Sequence, residues 1–176
     1  MYLISKIKII TLMTLSLSPV VVNAEDFRGI EFGVGISLTI DSSNAKDRVE
    51  SAEIVNGIVR VNDENNTIAR ILLESHFFFE PDGSFMNLSK DEWGHGPFIA
   101  IQPGDTETID AIGLGWMIGF KKDDGTSWNI GIGFVVDPNT KVLGDGLEAN
   151  TATTETEIRF KEETETGILL MSSFSF

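Results

Sequence analysis

The sequence predicts an all-β fold, an antiparallel up-and-down β-barrel of about eight strands. Three observations predict it. Apolar residues alternate with polar residues or glycine at period two in most segments after Ala24, turn-forming runs separate these segments, and cysteine is absent. Alternation at that period puts the apolar residues on one face of a strand. A small domain without disulfides needs another source of stability, and closing a sheet so that it has no edges is one.

Residues 1–24 are read as a leader. Lys6 and Lys8 give a basic start, Ile9 to Leu17 an apolar run, and Val22-Asn23-Ala24 a small-residue cleavage site. The apolar run is too short for a spanning helix, and nothing later reaches the roughly 18 to 20 apolar residues that a membrane helix requires. Residues 25–176 then form the β domain. They carry 11 of the 13 basic residues and all 27 acidic ones, a formal charge of −16. A surface so acidic repels nucleic acid at long range, which argues against a nucleic-acid partner.

The clearest strand runs from Glu31 to Asp41, with Phe32, Val34, Ile36, Leu38 and Ile40 on one face. Glycine, Ser37, Thr39 and the acidic ends fall on the other. A weaker strand is proposed at Ser51 to Val61, closed by the turn-forming run Asn62 to Asn66. Thr67 to Glu80 places Arg70, Glu74 and His76 on a face opposite Ile71, Leu73 and Phe77. Gly96 to Gln102 is again weak. Ala111 to Lys121 and Trp128 to Asp137 repeat the clean alternation, with glycines at 113, 115, 119, 131 and 133 on the polar face. A further strand is proposed at Thr154 to Lys161, and the last runs from Gly167 to Phe176.

The polar face decides which way the sheet is wrapped. Exposed strand positions favour Thr, Lys and Glu, and glycine weakens a strand, so a glycine-rich outer face would be an odd choice. Inside a narrow barrel, small residues leave room for bulky ones opposite. The apolar face therefore points outward, and the barrel is expected to be membrane-embedded. A soluble barrel of lipocalin type is the alternative, with the faces exchanged. Counting eight strands and alternating their direction puts Phe77, Phe79, Phe120 and Trp128 at one end. Phe32, Phe134, Phe174 and Phe176 then fall at the other, two aromatic belts of the kind a bilayer selects.

The chain resembles the small eight-stranded outer-membrane barrels of the OmpA and OmpX type. It ends in the alternating, Phe-terminated strand Ile168 to Phe176, similar to the C-terminal signal that such proteins present to the barrel assembly machinery. The resemblance implies Phe174 and Phe176 as an assembly signal, a bacterial outer-membrane location and outer-membrane lipid as surroundings. One departure concerns Asp137 to Glu155, a long connection that this strand count puts on the periplasmic side, where that class keeps short turns. Either the segment folds back into the lumen or a strand is miscounted.

Arg70, Glu74 and His76 share one strand face and are expected to form a polar cluster in the lumen. Charges in a narrow barrel need partners, so internal salt bridges are the plain reading and a gated channel or acid/base pair the sharper one. Ser75 and His95 are the components from which a lipid-modifying enzyme would be built, but a loop histidine is the simpler reading of His95. Asp123-Asp124, Asp145 with Glu148, and Glu155 with Glu157 lack the spacing of any calcium loop. No catalytic residue, metal or cofactor is assigned. The expectation is a structural or interaction barrel with a closed lumen, whose outer loops meet an envelope or extracellular partner. A narrow pore or small-ligand barrel is the other reading.

Overall fold

The computed structural model describes residues 28–42, 47–104, 108–122 and 125–176. The expected leader over residues 1–24 lies outside them. The described residues hold eight strands and no helix: β1 (Arg28–Asp41), β2 (Val49–Val55), β3 (Ile58–Glu64), β4 (Thr67–Phe78), β5 (Trp93–Gln102), β6 (Ala111–Lys121), β7 (Ser127–Leu143) and β8 (Phe160–Ser175). Six of them form an antiparallel ring in the order β1-β4-β5-β6-β7-β8, closed where β8 pairs with β1. β2 and β3 pair with each other as a separate hairpin, and Ile58 of β3 adds one bridge to Ala152.

The ring therefore has six strands and not eight. Ser51 to Val61 is two strands, because Asn56 and Gly57 both take positive φ (54° and 73°) and turn the chain back on itself. Asn-Gly is the sequence best suited to such a two-residue turn. The run from Asn62 to Asn66, expected to be a turn, supplies the end of β3. Thr154 to Lys161 is not a strand of its own. Instead β7 and β8 continue beyond the ring as a two-stranded outgrowth, paired as far as Leu143 with Phe160.

Following paired residues once around the ring gives its dimensions. Gly33 pairs with Glu74, Glu74 with Ala100, Ala100 with Gly113, Gly113 with Val135, Val135 with Gly167, and Gly167 with Asp41. The path returns to β1 eight residues from its start (41 − 33 = 8). Eight residues are about 26 Å of strand and six interstrand steps about 29 Å, so the strands tilt by roughly 42° and the backbone radius is about 6 Å. Nothing larger than side chains fits inside.

Residues of even number point outward on β1, β6, β7 and β8, including Ile30, Phe32, Ile36 and Ile40, and residues of odd number do so on β4 and β5, such as Ile71 and Ile99. Phe134 is 77% exposed and Leu114 60%. The inner face carries the glycines and a buried apolar layer built by Leu72, Phe98, Ala100, Met117, Leu169 and Met171. The expected direction of the apolar face is the observed one. Both described ends of the chain, Arg28 and Phe176, lie at one end of the ring with the β4–β5 connection and the Lys122–Thr126 turn. The β2–β3 hairpin and the β7–β8 outgrowth lie at the other, called here the hairpin end.

Candidate functional site

The lumen is polar at both levels and apolar between them. Arg70, Glu74 and His76 all project inward from β4, but Leu72, fully buried, separates the first from the other two. The single cluster expected from their spacing is two clusters, because a strand 12 residues long crosses the whole interior.

Towards the hairpin end the centre is Asp137, at the last ring position of β7. Its carboxylate takes a guanidinium N–H from Arg70 and another from Arg48, each at 3.0 Å. Arg48 also reaches Asp41 of β1 at 3.3 Å, and Arg70 lies 3.6 Å from Asp110. Gln102 extends the network, its amide oxygen accepting from Arg70 at 3.0 Å and its nitrogen donating to Ser37 and Thr39. Arg48 precedes β2, so this network also fastens the hairpin to the ring. Asp41 and Asp137 were legible as polar-face residues, whereas Arg48 lies in no alternating segment and carried no signal.

Towards the terminal end, His76 Nδ1 lies 2.7 Å from Glu74 and Nε2 lies 3.4 Å from Glu31. Ser173 of β8 donates to Glu74 at 2.9 Å, and Asn129 of β7 donates to Ser173 at 3.3 Å. Ser127 bridges Asn129 and Ser175 at 2.6 Å each. Every partner sits in the inward phase of its strand, so period two placed them on the right face but could not set their heights. These pairs are the internal hydrogen bonds and salt bridges that buried charge requires.

Ser75 and His95 are not brought together. Ser75 pairs with Ile99 on β5, four residues from His95, which is about 13 Å along the strand. His95 belongs to β5 and not to a loop, and its ring lies among Phe79, Trp93 and Trp116 at 5.7–6.0 Å. Glu155 pairs with Arg159, and Asp145 with Lys161. Among the described residues no three His, Asp or Glu side chains converge as a metal site. Asp123 and Asp124 lie outside the described residues.

The aromatic residues correct the expected pair of belts. Phe77, Phe79, Phe120 and Trp128 share the terminal end with Phe32, Phe174 and Phe176, leaving Phe134 towards the other. Two strands counted into the ring by mistake had reversed the direction of every strand between them. Phe120 stacks on Trp128 at 5.5 Å, and Lys122 sits 5.9 Å over Phe174. Phe176 is exposed, its backbone N–H donating to Phe32. The same miscount had put the connection after Asp137 at the wrong end. It leaves from the hairpin end, and only Asp137 itself enters the lumen.

In comparisons with protein-family models, curated proteins and solved structures, none matches the chain.

Proposed function

We propose that this chain is a small outer-membrane β-barrel with a sealed lumen, exported by the leader at residues 1–24, whose role in the envelope is structural or interactive and is exercised by the hairpin end. The observation that carries the reading is the inverted distribution of polarity. An outer wall of Ile, Leu, Val, Phe and Trp encloses an interior in which paired charges, serines and glycines lie on either side of one apolar layer. Soluble monomers rarely expose contiguous apolar patches beyond a few hundred Å². A lipocalin-like barrel needs the opposite arrangement, so the exposed wall speaks against it.

Dimensions agree with a bilayer. Ile30 to Ile40 spans ten residues on the exposed face of β1. At the tilt given by the register that is about 24 Å of height, close to the roughly 25 Å apolar band of membrane barrels. The aromatic cluster of Phe79, Trp93, Trp116, Phe120 and Trp128 favours one interface, at the terminal end. With the ends arranged so, the β2–β3 hairpin and the β7–β8 outgrowth face outward, the β4–β5 connection over residues 79–92 departs from the short periplasmic turns of the OmpA and OmpX type, and Phe174 and Phe176 remain the proposed assembly signal. Filled by side chains from all six strands, the lumen leaves the pore reading without support.

Single cysteines test the reading. V34C, I36C and L38C in intact envelopes are expected to react with lipid-phase maleimides and resist membrane-impermeant ones, while S37C resists both. Recovery of the chain as a detergent-free monomer in the periplasmic fraction would overturn it.

A further inference from the structure

At the hairpin end, outside the lumen, the β2–β3 hairpin and the β7–β8 outgrowth form a second small core. Val49 and Val59 of the hairpin are buried, as are Val142 and Leu147 of the outgrowth and its loop. The loop is tied on both sides. Val59 donates to Thr151 at 3.0 Å and accepts from Asn150 at 2.9 Å, while Gly144 donates to Arg159 at 2.8 Å. Between these walls lies a cleft of about 400 Å³. Val61 and Leu143 give it partly exposed apolar surface over the buried Val142 and Leu147, and Asp47, Glu64, Asp145 and Glu148 bring four carboxylates to it.

Two of those carboxylates are engaged, Asp145 by Lys161 and Asp47 by the Asn66 amide. Glu64 and Glu148 have no ion-pair partner among the described residues. The surroundings add to the field, since residues 137–166 hold eight acidic residues against three basic ones. A preformed cleft of mixed apolar and acidic lining, two of its carboxylates without an ion-pair partner among the described residues, selects a ligand that is cationic and partly apolar. Lys and Arg meet that description, because their methylene stems lie along apolar surface while the charged head stays at the rim. Anionic headgroups and nucleic acid are repelled, and the carboxylates do not converge as a cation site.

We infer that this cleft docks a basic, apolar-flanked peptide segment of a partner protein. The inference deepens the proposed interaction role and rests on it for the outward placement of this end. The cleft itself needs no membrane, so the two separate experimentally. The full-length chain in detergent is titrated against fluorescein-labelled hexapeptides, one alternating Lys or Arg with Val or Leu, one alternating Lys with Ser, and one alternating Glu with Val. The basic, apolar peptide is expected to bind, and the other two to bind at least tenfold more weakly. The double substitution Glu64→Gln, Glu148→Gln is expected to weaken binding at least tenfold, whereas Glu157→Gln, the same chemical change on an exposed bend outside the cleft, leaves it within twofold.

Should the double variant lose its native circular dichroism, Glu148→Gln alone is read, with a threefold loss expected. No binding of the basic, apolar peptide, equal binding of the Lys-Ser peptide, or an equal loss in Glu157→Gln overturns the inference. Liposome flotation of the same preparation reads the membrane proposal. A chain that binds the peptide and fails to float keeps the cleft and loses the membrane.

Discussion

Gly35 and Gly96 explain more about this ring than any of its larger residues. A Cβ at Gly35 would lie 2.1 Å from the Ser172 carbonyl oxygen, and one at Gly96 would lie 1.9 Å from the Phe77 carbonyl oxygen. The obstacle is neighbouring backbone and not a movable side chain. Strands wound at a radius of about 6 Å coil tightly enough for adjacent chains to crowd the inward Cβ, and glycine relieves this where curvature is sharpest. Making room for bulky residues opposite is therefore only half of the reason for the glycines. Gly96→Ala is expected to destabilise the folded chain by about 1–3 kcal/mol, the usual cost of an overpacked site. The midpoint of denaturant unfolding in detergent micelles measures it, and an unchanged midpoint would contradict the close approach.

At the scale of elements, Arg48 fastens the base of the hairpin to the ring through two carboxylate partners on different strands, Asp41 of β1 and Asp137 of β7. Arg48 is 6% exposed, so its removal leaves acidic groups with little water to compensate them. Arg48→Met is expected to cost about 3–5 kcal/mol locally. Amide exchange over residues 49–64 should accelerate while β4 to β8 stay protected, because Asp137 keeps Arg70. Equal acceleration throughout would mean that the network holds the ring and not the hairpin.

The same elements show what the sequence made legible. Period two found β1, β4, β6 and the ring part of β7 within a few residues and put the glycines at 33, 35, 113, 115, 119, 131 and 133 on the inner side. It passed through Asn56-Gly57 without stopping, although that dipeptide is the strongest turn signal in the chain. The less exposed face changes parity across the turn, from Ala52 and Ile54 to Val59 and Val61, but each arm is too short and too polar for the period alone to register the break. Continuation of β8 into Lys161-Glu162-Glu163 was illegible for another reason. Outside the ring neither face is apolar, and the pattern that marks a half-buried strand disappears. Of the lumen residues, phase was readable and partnership was not, because pairing depends on a register set by all six strands.

For the whole molecule, the seal is built into the wall. Phe98 is 1% exposed, and with Leu72, Met117, Leu169 and Met171 it fills the middle of the lumen between the two polar layers. Residues 144–159 hang outside and contribute nothing to that layer. Deleting residues 145–158, with a short glycine linker in their place, is expected to leave the chain non-conducting in planar bilayers. Channel openings after that deletion would show that the outgrowth closes the pore after all.

The seam between the first and last ring strands has a kinetic meaning. Five of the six joints pair strands that follow one another along the chain once the hairpin is set aside, so each can form early from local collisions. The sixth joins Gly33 to Ser175, 142 residues later, whereas Gly119 and Asn129 of the β6–β7 joint are 10 apart. Closing the longer loop costs about 2 kcal/mol more in chain entropy. Until it closes, both β1 and β8 present a row of unpaired backbone groups flanked by Ile and Leu, the combination most prone to pair with another chain. Assembly is thus a race between the two edges finding each other and either finding a neighbour. The contacts that win it are the last that the chain makes.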